Sequence, residues 1–423
     1  MDNHLRPPIS GFRWLLVAAG VVLQVCLGTV YAWSYFQDKL VGAYQWNNAA
    51  VAGTFSLTIA CLGAAAAAGG TALPRTGPRR LAVAGVVLFA AGHCVAALGL
   101  AWKSLALLYL GYGVLGGVGV GLGYVTPVAT VAQWFPDKKG LATGIVIMGF
   151  GLGALLMSKV LAPLLFRDDI SGGDPSLVFA GMGAAMFLIA LPAAAALRNP
   201  PAIAASAATS DAPTAEVAGP VFALLWGVFF CNIVAGISII GFQSPLFQDL
   251  WRSLGPERNA EQLAAYGATL IAVSSLFNGL GRMFWGGLSD RIGRLAAFRT
   301  MLATQIVAFV LLASTADPWL FAALVCYVLL CYGGGFGAMP AFVLDVFGRR
   351  RMAARYGAIL TAWSAAGITG PLLVAVLKDR CGSDAGQYAF LAAAAFLALG
   401  TVLTLALGRA LKEPQRRENA ESV

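Results

Sequence analysis

Charge is what this sequence has least of. Charged residues make up 11% of its 423 positions, against about 25% in soluble domains. Histidine occurs twice, and the seven cysteines show neither metal spacing nor a disulfide framework. That excludes a metal site built from sequence-local ligands. No nucleophile–base set and no phosphate-binding glycine loop is visible, so an enzyme is not expected, and no cofactor is implied. The N-terminal stretch Met1 to Arg13 lacks the pattern of a cleavable leader. Acidic residues are scarcest where they would matter most. Asp38, Asp137, Asp290 and Asp345 fall at the ends of apolar blocks, the rest in loops or tails, and none of the nineteen lies near the middle of a block.

Apolar residues take the place of the missing charge. They form 59% of the chain, and the mean hydropathy is +0.77. They come in blocks long enough to cross a ~30 Å hydrocarbon layer. Twelve spans are expected, at 14–38, 47–73, 80–101, 104–133, 140–166, 175–197, 219–247, 263–289, 299–315, 318–345, 354–377 and 385–408. Alternating the loops places nineteen Lys and Arg on one side and seven on the other. The positive-inside rule then puts both termini in the cytoplasm of a multi-pass inner (plasma) membrane protein. The net charge of +9 reflects this topology and calls for no nucleic acid partner. The bilayer is the expected partner, and the basic turns PDKKG and GRRR are expected to anchor to anionic lipid and to the loop aspartates.

The chain repeats itself. A small, polar linker over 199–218 divides it into segments 1–198 and 219–423, each with six spans. GTALPRTGPR, from Gly70 to Arg79, matches GGLSDRIGRL, from Gly286 to Leu295, at Gly70/Gly286, Arg75/Arg291 and Gly77/Gly293. YVTPVATVAQWF (Tyr124 to Phe135) echoes AMPAFVLDVF (Ala338 to Phe347). The expected fold is an all-α membrane protein of twelve transmembrane helices in two six-helix pseudo-symmetric bundles. Duplicated halves with a site at their interface are a transporter architecture.

One cation breaks the apolar rule. Arg282 is the only charge in Leu263–Ser289 and lies eight residues before Asp290, about 12 Å inside the boundary at helical rise. Such an arginine costs at least ~2.5–3.5 kcal/mol to insert, so it faces a cavity and a partner. With no acid at that depth, the partner is an anion that comes and goes, gripped bidentately. The plainer reading is an arginine that satisfies backbone carbonyls at a helix break. Asn278, one turn earlier on the same face, either holds the guanidinium, donates to the anion, or joins helices. Tyr124 ends a ladder of glycines at 113, 117 and 121 and at 119 and 123, where close helix approach turns a large ring toward a cavity. Asp38 is the candidate for proton coupling, against a solvated helix end. His93 is read as packing, and Lys159 as a side chain that reaches the interface.

GGLSDRIGR resembles the signature loop of the major facilitator superfamily, with the first-half copy degraded by Pro74 where Asp is expected. GYVTPVATVAQWFPDKKGLATGIVIMGFGLG, FNGLGRMFWGGLSDRIGR and CYGGGFGAMPAFVLDVFG resemble the oxalate:formate antiporter-like subfamily, which includes bacterial homologues of monocarboxylate transporters. The resemblance implies cavity walls at Tyr124, Tyr332 and Phe336, a matching aromatic at Tyr31, and apolar walls at Ile145, Met148 and Phe150. Two departures carry information. Animal monocarboxylate transporters carry Asp one turn before the arginine, where this chain has Asn278. The oxalate carrier has a lysine in the eleventh span, where Trp363 falls here. One cation suits one carboxylate, because an unmatched second charge is expensive to desolvate. The expected function is a monomeric secondary carrier of a small monocarboxylate such as lactate, proton-coupled. The alternatives are an oxalate or formate exchanger and a transporter-like membrane sensor, the latter disfavoured by short tails.

Overall fold

The computed structural model describes residues 10–200, 215–254, 259–381 and 385–421. Most of the expected linker, 201–214, lies outside them. Among the described residues every regular element is helical. A membrane core leaves no water to satisfy backbone groups, and a helix satisfies them within itself.

Among the described residues ten stretches are long and apolar enough to cross a membrane, by length and composition alone. The first six are Phe12–Ala32, Ala50–Thr76, Pro78–Ala101, Leu105–Trp134, Lys139–Leu165 and Pro175–Ala196. The seventh crossing lies within helix Ala215–Leu254. The eighth lies within helix Ala260–Ile292, whose apolar run carries Ser274, Ser275, Asn278 and Arg282. The ninth is Arg294–Leu312. Pro318–Gly370 is a continuous helical stretch that bends at Gly348 (φ 72°, ψ 169°), at the basic GRRR turn, and so holds the tenth and eleventh crossings. The twelfth lies in Ala385–Glu421. The outward faces are oily: Leu188 is 71% exposed, and Val307 and Val402 are 60% exposed. That pattern suits lipid and would not suit water.

Helix starts follow local chemistry. Asp174 and Asp317 accept from the backbone N–H of Ser176 (2.8 Å) and Trp319 (2.9 Å), and Pro175 and Pro318 take the first helical position, where no N–H is needed. Asn259 and Gln262 form a reciprocal capping box. The repeat seen in the sequence has a backbone counterpart. Gly77 (φ 77°, ψ 157°) and Gly293 (φ 87°, ψ 149°) precede the third and ninth spans in the same left-handed conformation, which favours glycine.

Two boundaries differ from the sequence reading. The first crossing is not one helix over 14–38. Helix Ser10–Gly28 gives way to a 3-10 turn, Thr29–Ala32, and a new helix, Trp33–Tyr44. The Thr29 hydroxyl donates to the Cys26 carbonyl at 2.6 Å, engaging an oxygen at the end of the first helix. The ninth span begins at Arg294 and not at 299, because the Gly293 conformation resets the chain there.

The halves meet along two glycine-lined seams. In the first, between the fifth and eighth spans, Gly140 packs on Gly286, and Gly144 on the Arg282 carbonyl. In the second, between the second and eleventh spans, Gly70 packs on the Ala353 carbonyl and Gly357 on the Ala66 carbonyl, while the Ser364 hydroxyl donates to the Ile59 carbonyl at 2.8 Å. Any Cβ at these glycines would collide with opposing backbone. The expected glycine ladder works the same way inside the first half: Gly117 and Gly121 lie on the carbonyls of Thr58 and Leu62.

Candidate functional site

Arg282 is fully buried. Its backbone is held on both sides by glycines, Gly144 of the fifth span and Gly337 of the tenth, each packed on its carbonyl. The side chain reaches across to the first half. The guanidinium Nε donates to Asn278 Oδ1 at 3.4 Å, and Nη1 donates to the Ile147 carbonyl at 3.2 Å. Nη2 is buried without a hydrogen-bond partner. Both plain readings of the sequence are therefore met in part: one nitrogen satisfies a carbonyl, and Asn278 steadies the fork. Among the described residues no carboxylate pairs with Arg282, and the ion pairs formed belong to Arg13, Lys139, Arg167, Arg252 and Arg294.

Rings enclose the guanidinium. Its carbon lies 4.9 Å from the Phe336 centroid and 5.7 Å from that of Phe150, a cation–π setting that partly compensates desolvation. Trp363 joins the ring set, 4.8 Å from Phe336, 5.7 Å from Phe150, 5.5 Å from Tyr124 and 5.8 Å from Tyr31. Tyr332 packs on Phe336 at 5.3 Å. Tyr31, Tyr124 and Phe150 come from the first half, and the others from the second. The cage thus exists only where the halves meet.

Its polar atoms share one character. The hydroxyls of Tyr31, Tyr124, Tyr332 and Tyr356, the indole N–H of Trp363 and Arg282 Nη2 are all buried without a hydrogen-bond partner. Tyr31 interacts with Tyr332, and Tyr124 with both Tyr356 and Arg282, through weak hydroxyl contacts, none of which has the geometry of a full hydrogen bond. Buried polar groups left unmatched cost about 1–3 kcal/mol each. A cluster rich in donors, with a cation and no carboxylate, is matched by an oxyanion.

The structure therefore gathers Arg282, Asn278, Tyr124, Tyr332, Phe336, Tyr31 and Trp363. Ile145 is partly exposed and packs against the same buried cluster that holds Tyr124, Phe150, Tyr332, Phe336 and Trp363. Tyr356 escaped the sequence reading. Its signal was spacing, since it precedes Trp363 by seven residues, two helical turns on one face. The side chain of Asp38 lies outside the described residues; its backbone belongs to helix Trp33–Tyr44. His93 is buried in a separate cluster with Phe89, Tyr112 and Phe179, its Nδ1 2.9 Å from the Phe89 carbonyl. Lys159 is exposed near the end of the fifth span.

Toward the termini the site is shut. Asp290 accepts from the backbone N–H of Gly140 and Leu141, both at 3.0 Å, at the start of the fifth span, where unsatisfied N–H groups favour an anion. Arg294 pairs with Asp290 at 2.6 Å and Asp345 at 2.9 Å, and Lys139 reaches Asp345 at 2.7 Å. The Asp290 contacts and the Lys139–Asp345 pair join the first half to the second, and Arg294 braces both aspartates from within the second half; together they form a charged latch. Of the two basic turns, PDKKG places Lys139 on Asp345, which sits in the helix Pro318–Ile359, and among the described residues the GRRR arginines form no ion pair.

The Major Facilitator Superfamily model matches residues 14–250 and 259–422. The chain is 28% identical to an oxalate:formate antiporter of Oxalobacter formigenes over 418 residues, 96% of this chain and 94% of that one. It is 27% identical to monocarboxylate transporter 11 of Mus musculus, covering 96% of this chain and 89% of the relative. Its fold matches the crystal structure of a double-tryptophan XylE variant with a TM-score of 0.75, at 12% identity, over 94% of this chain and 96% of that one. With an all-helical membrane fold and a family match over nearly the whole described chain, the chain belongs to the Major Facilitator Superfamily and is a multi-pass membrane transporter, not an enzyme.

Proposed function

We propose that the protein is a secondary carrier of small monocarboxylates, lactate-like in size, working by alternating access. One observation carries the reading: fully buried Arg282 keeps an unpartnered nitrogen inside a cage of unpartnered hydroxyls and an indole N–H. The carboxylate would take Nη2 and the Tyr124 hydroxyl, and the short organic tail would lie against Phe150, Phe336 and Trp363. Sequence segments 1–198 and 219–423 would rock about this centre, with the linker 199–218 and both termini in the cytoplasm of a plasma membrane and the carrier acting as a monomer.

Trp363 argues for one negative charge. A dianion would leave one carboxylate without a cation inside a ring cage, and desolvating it costs several kcal/mol. Proton coupling follows from the lack of an alternative carrier. Among the described residues no carboxylate lies at the depth of Arg282, so the proton would travel with the acid or bind at the mouth, for which Asp38 is the candidate. Exchange without protons is the second reading, favoured by similarity to an oxalate:formate antiporter over 96% of the chain.

Uptake of radiolabelled lactate, pyruvate, formate and oxalate into proteoliposomes, with and without an inward acidic gradient, tests the proposal. Saturable, gradient-stimulated uptake of lactate or pyruvate is expected. Uptake of oxalate alone, insensitive to pH and requiring an internal counter-anion, would replace symport with exchange.

A further inference from the structure

Tyr356 and Tyr124 share an unusual position. Both are fully buried, and their hydroxyls face each other in a weak mutual contact that falls short of full hydrogen-bond geometry. Tyr124 also neighbours Arg282. The two tyrosines belong to different halves. Tyr356 lies eight residues past the Gly348 bend, and Arg282 eight residues before Asp290, so both sit at a similar depth, about 12 Å in by helical rise. Tyr124, ten residues from Trp134, is about 15 Å in. The other cross-half neighbours, Tyr31 and Tyr332, are farther from the termini: Tyr332 is fifteen residues, about 22 Å, from Phe347. The Tyr124–Tyr356 contact thus borders Arg282 on the side of the latch.

What brings Tyr356 there is the second seam. Its neighbour Gly357 packs backbone to backbone on Ala66, and Gly70 packs on Ala353 one turn earlier. If this seam parts, the eleventh span leaves the second and fourth spans, and Tyr356 leaves Tyr124. Arg282 and Asn278, on the eighth span, would keep their own geometry.

We propose that Tyr356 is a positioning residue: paired with Tyr124 across the closed seam, it aims the Tyr124 hydroxyl at the anion bound by Arg282. This rests on the carrier reading. A phenol that both donates and accepts can receive a proton from one partner while giving its own to another. A pair oriented in this way binds the anion better than a lone rotating hydroxyl. Affinity is then highest when the seam is closed, and occupancy in turn favours closure.

The experiment is a double-substitution cycle read by equilibrium binding of radiolabelled lactate to purified protein. Tyr356→Phe keeps the ring and loses the hydroxyl, and it should weaken binding by about three- to tenfold, the scale of one hydrogen bond. Tyr124→Phe should weaken it at least as much. The double variant should be no worse than Tyr124→Phe alone, because the second hydroxyl acts through the first. Tyr356→His, which retains a ring donor, should recover most of the lost affinity and gives a second reading if Tyr356→Phe is poorly folded. Independent, multiplying effects would overturn the positioning role, as would unchanged binding in Tyr356→Phe or no recovery in Tyr356→His. Wild-type protein that binds no monocarboxylate would fail the carrier reading itself, a distinct result from normal wild-type binding with an inert Tyr356.

Discussion

At the scale of single residues, the account turns on Arg282. Its fork is engaged at Nε by Asn278 and at Nη1 by Ile147, and Nη2 points free of both. Lysine would place a point charge there without the second donor or the planar stacking. Arg282→Lys should therefore lower lactate transport at least about tenfold with normal membrane insertion, measured as initial uptake in proteoliposomes. Trp363 sets the charge capacity of the cage. Trp363→Lys should shift relative affinity toward oxalate over lactate by a modest factor, about two- to tenfold, read by competition against labelled lactate. Wild-type protein that already prefers oxalate would defeat the reading from charge count. Arg282 was legible in the sequence because a charge in an apolar run has few bland explanations. Tyr356 was not, because a tyrosine in a span looks the same whether it packs or binds. Only the fit of Gly357 on Ala66 decides where its hydroxyl goes.

At the scale of elements, the spans were readable from apolar length, and so was the boundary at Gly348, which opens the basic GRRR turn. The break at Thr29–Ala32 was not, because it lies inside an apolar pattern and is marked only by the Thr29 hydroxyl on the Cys26 carbonyl. The seam contacts of the fifth and eighth spans explain why glycine recurs there. They also show how the duplicated loop has diverged. In the second half Asp290 binds the start of the fifth span. In the first half Pro74 stands where that carboxylate would be, and the second seam closes through glycine packing and the Ser364 bond. The charged latch thus acts on one side. Asp345→Asn weakens the partly exposed Lys139–Asp345 pair, which crosses between the halves and is worth roughly 0.2–1 kcal/mol. It should shift the population toward opening on the latch side by about 1.5- to fivefold. Labelling of a single cysteine introduced as Ala353→Cys, in a background without the native cysteines, reads this. Faster modification by an impermeant maleimide applied from the latch side is expected, and an unchanged rate would remove the latch from the gate.

At the scale of the whole molecule, the distribution of charge shapes the coupling. Every ion pair among the described residues involves a loop or helix end, and the central cation stands alone. A carrier with no buried acid at its centre has no proton of its own to trade against substrate. An anion that neutralises Arg282 lets the cage close without a bare charge inside, and a proton can ride on the acid. An inward acidic gradient should therefore stimulate monocarboxylate uptake at clamped potential, compared at outside pH 6 and 8, and Asp38→Asn should leave much of that stimulation. If Asp38→Asn abolishes the pH effect while binding persists, Asp38 is the proton site.

The most direct measurement is equilibrium binding of radiolabelled lactate to purified wild-type protein and to Arg282→Ala of equal thermal stability. Wild type should bind saturably, with other short monocarboxylates competing better than oxalate, and Arg282→Ala should show no saturable binding. Unchanged affinity in folded Arg282→Ala would contradict the account at its centre.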